Sequence, residues 1–318
     1  MSNEQRTAHR TNDMVVGVDG TPASANALRY AMKQAARNGG KVDVFHVVPD
    51  YAALAYPIPF DELVEAGRAA LDATLSQVRE TGDNPAEHGV RTHLERGGVV
   101  KTLTAAGHLA HAIVVGSDRR PASRRLLTGN VCTGVASRSD VPVVSVPETW
   151  SAARSTGVVL AAVKRPDHSD ALMAEAFDVA RRSGSRLVVL QAWRFPSAYD
   201  DIIVTDPESL AEWGARTRHE LEKLVKPWQH HYPGVAVELR TVHEDPAHAL
   251  VTASQDADEL VIARRAHGFP AAAHLGSTAR TVLLYAHCPV RVVPAVHVPM
   301  PPDLDLEGAG APLTRATP

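Results

Sequence analysis

Cysteine is nearly absent from this chain. Cys132 and Cys288 are the two in 318 residues, and they fall at non-equivalent places in a tandem repeat. No disulfide framework is expected, and a cytoplasmic setting follows. Long apolar runs are missing too. None approaches the roughly 20 residues a membrane-spanning helix needs. The N-terminal MSNEQRTAHRTND is polar and lacks the apolar centre of a signal peptide. Neither sign of charge prevails, with Lys+Arg 33 against Asp+Glu 36 and a formal charge of −3. That balance argues against a general nucleic-acid binder and against an anionic-membrane binder. No G-x-S-x-G elbow or Ser/His/Asp order is present and no positioned general base is evident, so catalysis is not expected. Trp193, Trp213 and Trp228 are scattered through the second half and read as packing anchors rather than base-stacking platforms.

What is present is length and apolar patterning. The apolar share of 44% suffices for sizeable cores, and 318 residues fit two domains of ordinary size. MVVGVD (Met14–Asp19) is a short apolar run, as expected of a strand buried on both faces of a parallel sheet. Thr21-Pro22 then predicts a helix start, a hydroxyl N-cap followed by proline at the first helical position. That helix is expected to run to about Asn38 and to stop at Gly39-Gly40. VDVFHVV (Val42–Val48) is the second strand. Phe60–Val78 carries apolar residues at helical spacing. Val90–Glu95 reads as an edge-like strand, Val99–Leu109 as a helix and Ala112–Val115 as the fourth strand. Asn130–Arg138 reads as a helix and VPVVSVP (Val141–Pro147) as the last strand.

The pattern then starts again. LVVLQAW (Leu187–Trp193) matches Val42–Val48 at an offset of 145 residues. LVIA (Leu260–Ala263) matches the fourth strand at an offset of 147, and HCPVRVV (His287–Val293) matches DVPVVSV (Asp140–Val146). Alternating strands and helices in each copy predict an α/β fold of two tandem, doubly wound parallel-sheet domains, flavodoxin- or Rossmann-like, with strand order 3-2-1-4-5. The domains are placed at 14–150 and 157–296. Residues 1–13 are expected to be a disordered N-terminus and 297–318, rich in Pro, Gly and Ala, a disordered tail.

Open sheets of this order bind ligands beyond the carboxyl ends of the strands, where the winding direction reverses. In the first domain that point lies between Asp19-Gly20-Thr21 and Gly116-Ser117-Asp118. The stretch from Ile113 to Val131 (IVVGSDRRPASRRLLTGNV) passes from a strand through an Arg-rich loop to a glycine just before a helix. Backbone N–H groups there can face an anion.

VGVDGTPAS (Val16–Ser24), FHVVP (Phe45–Pro49), VVGS (Val114–Ser117), LLTGNV (Leu126–Val131) and VPVVSVP resemble the universal stress protein family, in its tandem two-domain form. HEDPAHAL, LGSTA and CPVRVVP carry the resemblance through the second half. It implies a regulatory module binding ATP, alone or with Mg2+, through a G-x2-G-x9-G-[ST] phosphate loop, an Asp after the first strand and a Val after the second. Asp19 and Val47 stand at the last two positions. Gly116 and Gly129 match the outer glycines, with Val131 following. Arg119 replaces the middle glycine and Asn130 the closing Ser. Arg119, with Arg120, Arg124 and Arg125, either contacts phosphate directly or belongs to a solvated face. In the second half Lys164 replaces the Asp, Ala263 and Ala266 replace glycines, and only Gly276 and Ser277 remain. That half is not expected to bind ATP.

The last strand of each half is short and apolar, and an uncovered edge of that kind invites pairing. In the family this strand pairs across a dimer two-fold. Here the two copies are expected to pair within the chain, with a homodimer of that unit also open. The alternative function is a nucleotide-independent interaction scaffold, suggested by the eroded motifs. The histidine pairs His108/His111, His230/His231 and His243/His248 read as surface or loop residues rather than metal ligands. A single continuous sheet in place of two, or side chains filling the cleft, would leave the nucleotide role without physical footing.

Overall fold

A computed structural model describes residues 11–50, 59–117, 131–165, 169–194, 206–264 and 275–294. The expectations for 1–13 and 297–318 fall mostly outside them. Thr11 and Asp13, which are described, are tied down: Thr11 N–H donates to the Leu109 carbonyl at 2.7 Å, and Asp13 Oδ1 accepts from Lys41 N–H at 2.8 Å.

The first half holds β1 (Met14–Gly17), α1 (Pro22–Asn38), β2 (Val42–Val48), α2 (Phe60–Glu80), β3 (Val90–Arg96), α3 (Val99–Ala106), β4 (Ala112–Ser117), α4 (Val131–Arg138) and β5 (Val143–Pro147). The second holds β6 (Val158–Ala162), α5 (Asp170–Ser183), β7 (Arg186–Trp193), α6 (Pro207–His231), β8 (Val237–His243), α7 (Pro246–Ala253), β9 (Glu259–Ala263), α8 (Ser277–Tyr285) and β10 (Val290–Val293). The local signals act as anticipated in α1. Thr21 Oγ1 accepts from Ser24 N–H, Pro22 sits in the first turn, and Gly39 closes the helix at φ 68°. Trp228 is a buried anchor stacked near Phe177, whereas Trp213 is 42% exposed.

The strand order is β3-β2-β1-β4-β5-β10-β9-β6-β7-β8. Each half therefore keeps the order 3-2-1-4-5. The chain has one continuous ten-stranded sheet where two separate sheets were expected, and what joins them is the pairing of the two last strands within the chain that was also expected. The join is an antiparallel pair, β5 with β10, in the register Val290↔Ser145, Arg291↔Val144 and Val292↔Val143. All other neighbours are parallel. The cause is the short apolar last strand of each copy, whose open edge is satisfied by the other. The reversal of winding survives in each half, so the cleft argued from topology is retained.

On one face of the sheet, α3, α4, α7 and α8 lie over a single core that runs through both halves, with Leu103, Val135, Leu250 and Val282 among its members. On the other face there are two cores, one under α1 and α2 and one under α5 and α6. Between them lies a buried polar cluster. Arg291, on β10, is 1% exposed. Its Nε donates to Glu259 Oε1 at 2.6 Å, its Nη1 to Glu175 Oε1 at 2.9 Å and its Nη2 to Tyr30 Oη at 3.1 Å. The Tyr30 hydroxyl donates in turn to Glu259 Oε2 at 2.6 Å. Burial alone would push the guanidinium down, but Glu259, Tyr30 and Glu175 outweigh it and hold its pKa well above the usual value. Tyr30 comes from the first half and the other three from the second.

Removing one member of a buried charge pair leaves its partner desolvated and uncompensated, at a cost of about 3–5 kcal/mol. Arg291→Met is expected to lower unfolding stability by that amount. Tyr30→Phe, which removes one neutral partner, is expected to cost about 1–3 kcal/mol. Urea unfolding followed by tryptophan fluorescence measures both. An Arg291→Met midpoint equal to wild type would show that the cluster carries no stability.

Candidate functional site

The seam of the first half lies between the carboxyl ends of β1 and β4. β1 is the shorter strand: its register with β4 ends at Gly17↔Val115, while β4 continues to Ser117. On the other side β2 also runs past it, from Phe45, opposite Gly17, to Val48. Peptide groups along a strand face alternate sides. The Phe45 carbonyl accepts from Val18 N–H at 2.9 Å, toward β1, and the Val48 carbonyl accepts from Gly97 N–H at 3.1 Å, toward β3. Val47, two residues after Phe45, thus turns its peptide edge to the side where β1 has ended. Its side chain is buried.

Asp19 is exposed at the head of α1. Its Oδ1 accepts from Thr21 Oγ1 at 2.6 Å, from Thr21 N–H at 3.2 Å and from the Ser24 hydroxyl. The three side-chain bonds described for it all use Oδ1. The positive end of α1 thus already faces a carboxylate of the chain itself. Gly116 sits against the same turn. A Cβ added there would stand 2.5 Å from the Ala23 carbonyl carbon and 2.8 Å from Ser24 N, both backbone atoms. The lack of a side chain at Gly116 is explained by the packing of β4 on α1. Val131 lies on α4 and packs, half-buried, against the shared core. Of the expected site residues, Asp19, Val47, Gly116 and Val131 are placed around the seam; Arg119, Gly129 and Asn130 lie outside the described residues.

A model of the universal stress protein family matches the chain twice, over residues 11–147 and 156–294. The chain belongs to the universal stress protein family. A universal stress protein of Mycobacterium tuberculosis is 30% identical over 292 residues, which is 88% of this chain and 95% of that one. One from Mycolicibacterium smegmatis is 28% identical over 289 residues, 88% and 96% of the two chains. Among solved structures, a universal stress protein from Archaeoglobus fulgidus superposes with TM-score 0.63 at 18% identity, covering 90% of this chain and 97% of its own. That last likeness is one of fold.

In this universal stress protein the two seams differ. Lys164 is exposed at the position of Asp19, and Ala263 is exposed at the position of Gly116. Gly276 precedes α8, which Ser277 opens. Among the described residues no group of three or more His, Cys, Asp or Glu side chains could hold a metal, and no helix is long and apolar enough to cross a membrane. Cys132 is a small buried residue, and burial pushes its thiol up to about 11.

One residue at the seam was not singled out from the sequence. His46, inside FHVVP, bonds the Val18 carbonyl through Nδ1 at 3.0 Å, beside Asp19. Its place on a strand end next to Val47 was the available signal. Burial lowers its pKa below 6.5, against opposing pulls from the Val18 carbonyl and Asp19. The unfolded chain takes up a proton as pH falls through 6.5, while the folded chain stays neutral until a lower pH. The contribution of His46 is therefore complete above 6.5 and is lost as pH falls from there through the depressed native value. Urea midpoints should decline across that window, and His46→Gln should flatten the decline. An unchanged slope in the variant would remove His46 as its source.

Proposed function

We propose that this universal stress protein is a regulatory ATP-binding module whose site is the reversal seam of its first half. Asp19 would hold the nucleoside side through Oδ2, since Oδ1 is engaged by Thr21 and Ser24. The Val47 peptide edge would meet the base. The phosphates, with Mg2+ as counter-ion, would belong to the loop carrying Arg119, Gly129 and Asn130 and to the head of α4. The head of α1 is less suited to phosphate because Asp19 already occupies it. The observation that carries this reading is the contrast between the seams: an exposed acceptor, Asp19, beside a strand that runs on past β1 in one half, and an exposed Lys164 in the other. Binding, rather than turnover, is the expected activity, with the bound state biasing a conformation or a partner in the cytoplasm. The two halves would pair within one chain, as β5 and β10 do, and a homodimer of that unit would be built from other surfaces.

A second reading, a scaffold that needs no nucleotide, is favoured by a specific observation. Asp19 Oδ1 and Gly116 both have structural explanations in the packing of α1. Mass spectrometry of the purified protein for co-purifying nucleotide separates the two.

Calorimetric titration with Mg-ATP tests the first. Gly116→Val is unsuitable because it would displace α1. Asp19→Asn keeps an acceptor for Thr21 and Ser24, and Gly129→Val crowds the loop. Each is expected to weaken binding at least about tenfold, roughly the loss of one good polar contact. Lys164→Ala should leave affinity unchanged. Equal affinity in wild type, Asp19→Asn and Gly129→Val would remove the site assignment.

A further inference from the structure

The two halves make the same contact twice across the β5–β10 join, with different side chains. At the repeat offset of 147 residues, Ser117 corresponds to Arg264, Leu283 to Ala136, and Ala286 to Ser139. Arg264, at the end of β9, reaches across to the carboxyl end of α4. Its Nη1 donates to the Ala136 carbonyl at 3.2 Å and to the Ser139 carbonyl at 2.8 Å. Ser117, at the end of β4, reaches toward the carboxyl end of α8, and its hydroxyl donates to the Leu283 carbonyl at 3.3 Å. The first contact is filled by a long cationic side chain. The second is made by a short hydroxyl, and beside it a cavity of about 180 Å3 remains, lined by Ser117, Ser145, Glu148, Leu283, Ala286 and Cys288 among others.

The lining is suited to what Arg264 supplies on the other side. Leu283 and Ala286 are the counterparts of the two residues whose carbonyls receive Arg264. The amide that would normally close on the Leu283 carbonyl, His287 N–H, donates instead to Ser254 Oγ at 2.9 Å. The carboxyl end of a helix carries partial negative charge. Ser145 is 2% exposed, and its hydroxyl has no hydrogen-bond partner among the described groups. The adjacent Cys132 thiol is at most a weak one. Glu148 adds an exposed carboxylate. Leu284, Pro147 and Val290 supply apolar walls for the stem and the flat faces of a planar cation.

We propose that this cavity is a binding site for a guanidinium group, which takes there the place that Arg264 fills in the symmetry-related contact. The group is carried either by a free small molecule or by an arginine side chain of a peptide. The site does not depend on the nucleotide reading, and its test is run without nucleotide.

The test uses the full chain and follows the thermal midpoint and the heat of titration with ethylguanidinium, against ethylammonium at equal ionic strength. A saturable upward shift with ethylguanidinium and none with ethylammonium is expected. Ser117→Arg should raise the midpoint without ligand and abolish the ligand's shift. Ser145→Ala removes a hydroxyl whose neighbour is at most the weakly bonding Cys132 thiol, so it should fold normally and weaken binding about three- to tenfold. Tighter binding of capped Gly-Arg-Gly than of free arginine points to a peptide source, and the reverse order to a small molecule. Absence of a saturable shift overturns the proposal, as does a shift that persists in Ser117→Arg. Should Ser117→Arg not fold, wild-type affinity in both Ser145→Ala and Glu148→Gln overturns it equally.

Discussion

The structure depends on one antiparallel strand pair and on what stands at its centre. The approximate two-fold that relates the halves passes between Arg291 and Val144, which face each other across β5 and β10. They are also counterparts in the repeat. So are Glu259 and Ala112, and so are Glu175 and Tyr30, which stand equally far ahead of the helix-closing glycines Gly184 and Gly39. The second half brings one cation and two carboxylates to the join. The first brings a valine, an alanine and a phenol. Only the unlike pairing satisfies all of them. Two second halves would set two buried guanidinium groups face to face amid four carboxylates. Two first halves would bury two phenol hydroxyls without Glu259 or Arg291. A buried charge cluster contributes little net stability over an apolar one, but it penalises wrong pairings heavily.

Freed from being identical, the halves have diverged around that join. One face of the sheet carries a single apolar core from end to end, while the other is divided by the charged cluster. Each half keeps its own reversal of winding, and thus its own cleft, because the crossovers within a half are untouched by the join. The chemistry at the two clefts then differs by sign: Asp19 in one, Lys164 in the other. The same asymmetry appears at the join itself, where Arg264 fills one symmetry-related contact and Ser117 leaves the other open.

The sheet order and the tandem repeat were legible because they rest on periodicity and offset, which survive substitution. Helix limits were legible where a cap marked them, as at Thr21 and Gly39. The charged cluster was not. VRVV reads as one more apolar strand, and the strand before it reads as starting at Leu260, although Glu259 is already paired and buried. Nothing local distinguishes a buried Arg or Glu from one at a solvated strand end. The partner is Tyr30, 229 residues away in sequence from Glu259. The pairing of the two last strands was legible from their short apolar edges, and the single continuous sheet is its consequence, which the division into two domains obscured. At the seam, Asp19 was singled out from the strand order and Val47 through the resemblance, while His46 beside Val47 was passed over because its burial comes from tertiary packing.

Gly116 shows how far a motif glycine can be trusted as a sign of ligand. α1 begins at Pro22, close after β1 ends at Gly17, so its first turn lies directly against β4 and leaves no room for a Cβ at residue 116. In the second half α5 begins only at Asp170, well after β6 ends at Ala162, and the residue at the matching place is an exposed alanine. The glycine in one half and the alanine in the other follow from the length of the preceding connection, with or without nucleotide. A residue counts toward binding only where folding leaves its chemistry unexplained. By that standard the second carboxylate oxygen of Asp19 and the Val47 peptide edge, which meets no partner among the described residues, weigh more than the glycine that first draws attention to the loop.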